Sequence, residues 1–455
     1  MSLDEAFSDS LDIDLIPNFS QSYFFKGKSV CKSVSFNGSS IERTFTLNTK
    51  ANGDAMAAWW RAYLDNEDQF GLPLSTSEGN SKEIKYIDLF SSVGGLSLGF
   101  EEAVRSLGYR PMPLLAVDID ERALAVHKVN HETRKVINDS VAALVDFKVL
   151  GQGKEAKFAF KPNVDSSYLR DLVGEVDAVL AGPPCQGHST LNNYSRGNDP
   201  RNLLYLTVPA IAVALDIPVV IIENVPNVLN DVDNVVESTK ALLAANGYSL
   251  TCSVLQAHLL GWPQTRKRFF LIATKGHIPV DLDLIGKYLE HPALGTGWAL
   301  KDVNVPEKSE LDNIMNSVSE MSELNQKRID WLFDNDSHEL PNHIRPVCHQ
   351  DGHTYPSVYG RMYWDKPAPT LTTGYVSPGR GRFIHPMERR VLTPREAARL
   401  QGFPDWFIFT PITGVHSKRG QLAKWVGDAV PSILGYVAGL AGLIDFESNK
   451  LPSLN

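Results

Sequence analysis

The chain has 455 residues, 43% of them hydrophobic and 21% charged, an ordinary globular composition that excludes wholesale disorder and leaves room for two or three packed cores. Lys plus Arg number 44 against 53 Asp plus Glu, a formal net charge of −9, so a generic basic coat for nucleic acid is excluded and any such contact must come from a local patch. The four cysteines, Cys31, Cys185, Cys252 and Cys348, form no C-x-x-C pair, which excludes a disulfide framework and a structural zinc site and suits a reducing compartment.

The opening MSLDEAFSDSLDIDL is acidic and carries neither the positive nor the apolar region of a signal peptide. The longest apolar runs, 203–215 and 433–444, fall short of the roughly 20 residues a bilayer span needs. A soluble, cytoplasmic protein is expected, with no membrane contact and no metal. Residues 1–83 show no repeat and no motif: 41–47 alternates loosely like a strand, 55–64 (AMAAWWRAYL) reads as a short helix, and 73–82 is a linker of Ser, Gly and charge.

From 84 to 274 short β-rich runs alternate with helical ones, as a doubly wound sheet requires. Strands are expected at 85–89, 114–117, 178–181, 218–223, 250–255 and 269–273. Helices are expected near 96–107, 121–130, 203–215 and 234–246. In such folds functional groups gather after the carboxyl ends of strands. Four of those loops here read FSSVGG, DIDE, GPPCQGHS and ENVPNV.

In the first, Gly94 and Gly95 stand where a strand turns into a helix, so backbone can approach a ligand beside free helix N–H groups. It is not G-x-G-x-x-G, which argues against a nicotinamide dehydrogenase. In the second, Asp118 ends its strand where a ribose diol would be gripped. Each signal alone fits a plain turn or a helix cap; in order, they favour a nucleoside-bearing cofactor. The third sets Cys185 between a rigid Pro183-Pro184 pair and a polar loop. A lone cysteine is usually a buried structural one, but this placement suits a nucleophile. The fourth delivers Glu223 from a wholly apolar strand, Pro218-Val219-Val220-Ile221-Ile222, where burial would raise its pKa and fit it to act as an acid, although standing alone such a residue reads as a helix-capping or salt-bridged Glu. The run Arg266-Lys267-Arg268 reads by itself as solvated charge.

Taken in order, DLFSSVGG, GPPCQGHS, ENVPNVL, QTRKR at 264–268, RRVLTPREAARLQGFP at 389–404 and GDAVP at 427–431 resemble the DNA cytosine-5 methyltransferase family of the prokaryotic type, over residues 84–446. The resemblance implies an α/β fold: a doubly wound, mostly parallel, Rossmann-like S-adenosylmethionine-dependent methyltransferase sheet with a second, smaller target-recognition domain. It implies four regions: an N-terminal extension of unassigned role (1–83), a catalytic domain (84–280), the recognition domain (281–420), and a C-terminal helix returning to the catalytic domain (421–446). Carried over residue by residue, Cys185 matches the nucleophile, Glu223 the acid at the base N3, and Arg266 and Arg268 the pair that holds the flipped base. Phe90, Gly94, Gly95, Asp118, Ile119, Leu204 and Asp428 match positions that hold S-adenosylmethionine. Asp139 matches the adenine contact, a place for which Asp165 competes because the segment 146–165 is long. Gln186 and Ser189 match positions facing DNA. The sequence departs from the family at Asp428, where Asn is usual.

The resemblance further implies double-stranded DNA as partner and a restriction endonuclease acting on the same site. The alternatives are a tRNA cytosine-5 methyltransferase and a catalytically silent nucleic-acid-binding relative. For phosphate contact the candidate surface is 342–431, with 12 basic and 6 acidic residues, through Arg345, Arg361, Arg380, Arg382, Arg389 and Arg390. Gly379-Arg380-Gly381-Arg382 allows close approach to a backbone, and base-reading residues are expected within 342–382. The run Leu311, Ile314, Met315, Val318, Met321 and Leu324 recurs at helical spacing and is expected to be core.

Overall fold

The computed structural model describes residues 16–36, 38–47, 53–65, 82–164, 166–184, 204–303, 314–350, 357–410 and 418–446. Three antiparallel strands come first, β1 (Phe19–Lys26), β2 (Ser29–Phe36) and β3 (Ser39–Thr46), followed by helix α1 (Ala55–Asp65). The strand and helix expected at 41–47 and 55–64 are thus present; the linker at 73–82 lies almost wholly outside the described residues.

The central sheet is built from β4 (Glu83–Leu89), β5 (Arg110–Asp118), β6 (Lys135–Asn138), β9 (Ala178–Ala181), β10 (Val219–Asn224), β11 (Tyr248–Gln256) and β12 (Lys267–Lys275), in the order β11-β12-β10-β9-β4-β5-β6. Pairings from β10 across to β6 are parallel, while β12 runs antiparallel to both β10 and β11. The sheet is therefore mostly parallel, with one reversed strand near its edge. Helices α2 (Gly95–Ser106), α3 (Glu121–His131), α5 (Thr207–Leu215) and α6 (Val235–Ala244) cover its faces. The helix expected at 203–215 begins as a 3-10 turn over 204–206, and residue 203 lies outside the described set. Between β6 and β9 the long segment forms a small ribbon, β7 (Val149–Leu150) with β8 (Lys157–Phe158), and the one-turn helix α4 (Ser167–Arg170).

Strand β10 is buried at all six positions, which explains its unbroken apolar sequence: a central strand of such a sheet is covered on both faces. Register then does the positioning. Leu89, Val117, Ala181 and Ile222 stand on one line across the sheet, through the pairs Leu89↔Val117, Leu89↔Ala181 and Ala181↔Ile222. Phe90, Asp118, Gly182 and Glu223 are each the first residue beyond that line.

After the sheet come α7 (Leu282–Tyr288), α8 (Thr296–Leu300), α9 (Glu323–Asp334), α10 (Pro394–Gln401), α11 (Arg419–Asp428) and α12 (Ser432–Leu443). Leu282 and Ile285 of α7 lie in the same core as α2 and α12, whereas Ile329, Leu332, Leu340, Val358, Ile384 and Val391 form a small core of their own that marks the second unit. Over its described part, 314–324, the helical spacing seen at 311–324 does not make one continuous helix. Ile314–Asn316 is a short 3-10 turn, Leu324 is exposed, and the helix starts only at Glu323, where the Ser322 hydroxyl accepts from Asn325 N. Met315 alone of the described part of that run is buried.

Helices α2 and α12 cross at glycines. A Cβ on Gly99 would stand 2.1 Å from Ser432 O, and one on Gly435 2.8 Å from Leu96 O, so neither tolerates a side chain. The run Arg419–Leu443 is apolar over a stretch long enough to cross a membrane, yet 94% of that stretch is buried inside the chain, as in a core helix.

Candidate active site

At the carboxyl end of β4 the backbone turns through three left-handed residues, Phe90 (φ 57°), Ser92 (φ 47°) and Gly94 (φ 89°). Left-handed geometry disfavours a side chain by about 1–2 kcal/mol per residue, so neighbours must hold the turn. Ser91 N donates to Val117 O (3.1 Å), Ser92 N to Asp118 Oδ2 (2.8 Å) and Gly94 N to Ser91 O (2.9 Å). Beneath it lie His127 and His131 of α3. A Cβ on Gly94 would sit 2.2 Å from His131 Nε2, so space and φ both demand glycine there.

Asp118 ends β5 with one oxygen on Ser92 N and the other on Asp120 N (2.8 Å), and burial raises its pKa above the ordinary carboxylate value despite those donors. Beside it Ile119 is 79% exposed, an apolar side chain left open at the sheet edge. Asp139 follows β6 directly, exposed, and β6 pairs with β5 through Asp118↔Asn138. Two carboxylates thus stand at adjacent strand ends; Asp165 lies outside the described residues. Leu204 opens the turn before α5, its carbonyl accepting from the Thr207 hydroxyl at 2.6 Å.

Helix α11 closes this side from above. Trp425 Nε1 donates to Asp120 Oδ2 (3.0 Å), and Arg122 Nη1 to Gln421 Oε1 (3.2 Å). Asp428, the last residue of α11, pairs with Lys424 at 3.0 Å. Burial opposes the charge of Lys424, but Asp428, with Asp118 and Asp120 farther off, holds its pKa above the ordinary value. Gly95 meets the Gly427–Pro431 segment closely: its Cβ would be 3.1 Å from Val430 O and from Ala429 Cβ.

Glu223 stands at the other half of the edge, 8% exposed. Burial raises its pKa, and the nearby Arg268 and Arg266 pull it partly back. Arg268 Nε lies 2.7 Å from Glu223 Oε1, while Oε2 faces Gly182. The next residue, Asn224, donates through Nδ2 to Pro183 O at 3.3 Å, tying this strand end to the Pro183-Pro184 turn. Cys185, Gln186 and Ser189 lie outside the described residues, immediately beyond that turn. Arg266 is 1% exposed and donates to the carbonyls of Leu371 (2.7 Å) and Asp428 (3.3 Å). It clasps the second unit and the end of α11 to the sheet while adding positive charge near Glu223.

The basic segment is largely spoken for internally. Arg382 donates to His338 O (2.9 Å), Arg361 O (3.0 Å) and Glu339 Oε1 (2.5 Å). Arg361 reaches Pro386 O and Asp336, and Arg345 reaches Leu340 O. Arg389 pairs with Asp334, and Arg390 with both oxygens of Glu396 at 2.7 Å. Arg380 is exposed and has no ion pair among the described residues. The net positive count of the segment therefore overstates its free charge.

Sequence reasoning missed Asp120, Lys424, Trp425, His127 and His131 around the turn. Only the last two left a signal, a spacing of four on one helix face, and that spacing is common in cores. Among the described residues no group of three His, Cys, Asp or Glu side chains is arranged to hold a metal.

Residues 84–438 match the family model described as C-5 cytosine-specific DNA methylase. The chain belongs to that family. It is 40% identical over 367 residues to the Type II methyltransferase M1.BsuMI of Bacillus subtilis, covering 80% of this chain and 81% of that one. It is 30% identical over 372 residues to the Type II methylase M.HgiDII of Herpetosiphon aurantiacus, covering 77% and 92%. The fold is shared with the Entamoeba histolytica methyltransferase EhMeth, at a TM-score of 0.53, 18% identity, and coverage of 81% of this chain and 100% of that one. This DNA (cytosine-5) methyltransferase thus starts three of the family's six motifs, DLFSSVGG, GPPCQGHS and ENVPNVL, along one register line of its sheet.

Proposed function

We propose that this methyltransferase transfers a methyl group from S-adenosylmethionine to C5 of a cytosine flipped out of a specific duplex site, through a covalent bond between Cys185 and C6. The observation that carries the reading is Glu223: a buried carboxyl of raised pKa, held by Arg268, whose neighbour Asn224 is bonded to the turn that leads into Cys185.

Bound S-adenosylmethionine supplies an electrophilic methyl on sulfur. The residues at the cofactor edge suit it. Asp118 and Asp139 offer carboxylates to hydroxyl and amino donors, exposed Ile119 offers an apolar surface to a flat ring, and the turn at 90–95 offers backbone. Leu204 and Asp428 would border the same place. The Asp428 carboxylate replaces the usual amide and is balanced by Lys424.

Cytosine C5 is a poor nucleophile. The Cys185 thiolate adds to C6 while Glu223 gives its proton to N3, so the ring becomes an enamine with electron density on C5. C5 takes the methyl group as its bond to sulfur breaks. Loss of the C5 proton to water, return of the N3 proton to Glu223 and departure of the thiolate then restore the neutral aromatic base and the starting side chains. Arg268, with Arg266 behind it, steadies the pyrimidine carbonyl, a role for which a planar guanidinium is suited. A stacked base cannot reach these groups, so the base must leave the helix, at a cost of a few kcal/mol. Gln186 and Ser189 would face the duplex, and Arg380 would meet phosphate.

The division into a catalytic domain (84–280), a recognition domain (281–420) and a returning helix (421–446) belongs to this reading. So does a Type II restriction-modification setting with an endonuclease partner, which rests on the names of the relatives.

The test is duplex DNA carrying 5-fluorocytosine, in which fluorine blocks the last proton loss. Wild-type protein should be trapped covalently and Cys185→Ser should not, because an alkoxide is scarcely available at neutral pH. Near wild-type turnover by the serine variant would remove Cys185 from the mechanism.

A further inference from the structure

Residues 16–65 carry none of the family's motifs, yet they form a module that grips both parts of the molecule. From β2 and β3, Lys32 and Arg43 reach Glu102 on α2. Lys32 Nζ donates to Glu102 Oε1 (3.1 Å) and Ser106 Oγ (2.8 Å), and Arg43 Nη1 to both carboxyl oxygens at 2.6 Å. The Lys32 ammonium lies 4.0 Å from the ring centre of Tyr436 on α12 and 4.6 Å from that of Trp59 on α1. The module is thereby fastened to α2, which opens with Gly95 at the turn, and to α12, which follows the 427–431 segment that Gly95 meets.

Helix α1 makes a second set of contacts, at the two crossings between the sheet and the smaller unit. Arg61 donates to the carbonyls of Trp298 and Lys301 (2.7 Å for the second), and Trp298 Nε1 donates to Ala57 O at 3.1 Å. Asp65 pairs with Arg61 (2.7 Å) and with Arg399 of α10 (3.1 Å), and Asp405 N donates to Leu64 O (2.8 Å). Helix α8 is the last named helix before the smaller unit, and α10 with the turn at Asp405 brings the chain back.

The post they hold is bonded both ways. Toward the smaller unit, Glu396 of α10 takes Arg390 and lies 3.5 Å from His385. Toward the sheet, Trp262 Nε1 and Gln264 Nε2 donate to Leu400 O at 2.8 and 2.9 Å.

We infer that the N-terminal module is a brace: through Arg61 and Asp65, α1 fixes the angle between the catalytic sheet and the smaller unit, and hence the width of the cleft that holds DNA. Both are positioning residues, acting on DNA through α8 and α10. The inference rests on the proposed function, in which Gln186 and Ser189 beside the sheet and Arg380 of the smaller unit face the same duplex, so that the duplex lies between the two units. Arg61 and Asp65 are suited to a test because they stand at the rim, with side chains 18% and 39% exposed, outside the aromatic cluster of Trp59, Trp60 and Tyr63.

The experiment is steady-state methylation of a target duplex by full-length Arg61→Ala, Asp65→Ala and the double variant, with cofactor binding by calorimetry and thermal melting alongside. KM for DNA should rise about tenfold in Arg61→Ala, the scale of one lost charged hydrogen-bonding group, while kcat and cofactor affinity hold. Arg61→Lys should recover part of that loss, since its ammonium can still reach a carbonyl. An unchanged KM in all variants would overturn the brace. So would a parallel fall of kcat, cofactor affinity and melting temperature, which is the mark of a purely stabilising role. Failure of the wild-type chain to methylate DNA would instead strike the proposed function, and is read separately.

Discussion

At the carboxyl edge of the sheet, Asp118 and Glu223 stand at the ends of buried strands, their positions set by ladder register and their pKa values raised by burial. In the smaller unit, Arg361, Arg382 and Arg390 are held by carbonyls and carboxylates of their own fold. The first region keeps ionisable groups at a desolvation penalty, which the proposed function assigns to chemistry; the second uses its charges to fasten irregular chain that has few ladders to hold it. A residue's charge therefore says little about its role until its partners are known.

The largest effect that would break this comparison is at Glu223. Glu223→Gln keeps shape but gives up a transferable proton, so kcat should fall about 10²–10⁴-fold with cofactor affinity unchanged. A loss under tenfold would show that the carboxyl is structural.

Next come the paired arginines. Arg382→Ala strips several carbonyls and Glu339 of their donor, and should lower stability by about 1.5–3 kcal/mol in chemical denaturation. Arg380→Ala should leave stability unchanged, weaken target and random duplex alike, and reduce the salt slope by roughly one unit. Exchange of these two outcomes would invert the assignment.

Arg268 sharpens the electrostatic contrast. It lowers the Glu223 pKa against the larger effect of burial, so Arg268→Ala should raise that pKa and keep the acid form to higher pH. In the pH profile of the residual activity, the alkaline limb should move upward; a downward shift would contradict the arrangement.

Lys32 gives a smaller, pH-dependent effect. Burial, outweighing Glu102, lowers its pKa from 10.5 to about 7. The folded state then binds fewer protons than the unfolded state between those values, so this residue makes stability rise with pH across the window and lose that gain as pH falls toward 7. Neighbouring tyrosines, ordinarily near 10 and pushed upward by burial, titrate above most of it. Melting of Lys32→Met between pH 7 and 9.5 should show a flatter rise than wild type. The smallest effect is at Asp428, where Asp428→Asn should tighten S-adenosylmethionine binding slightly or leave it unchanged by calorimetry.

The catalytic sheet was legible because its signals are local. Short apolar runs, cut by Gly and Pro, announced β4, β5, β9 and β10 and the loops that end them, and three of the family's six motifs sit in those loops. Of the N-terminal sheet only β3 was legible, since FSQSYFFK and SVCKSVSF in β1 and β2 interleave serines and lysines that carry no clean period. Lys32 is a surface-type residue by composition and is buried only because Glu102, Ser106 and Tyr436 arrive from α2 and α12. Over 314–324 a local helical period was lost to the cap at Ser322, although Ile314, Met315 and Met321 still pack into or against cores. The sequence by itself determined the chain order of the strands whose ends carry the candidate chemistry, the loop proposed to hold the nucleophile, and the family. Tertiary structure alone decided which arginines are spent inside the protein, that α11 covers Asp120, and that α1 spans both crossings, because each depends on partners distant in the chain that no periodicity can specify.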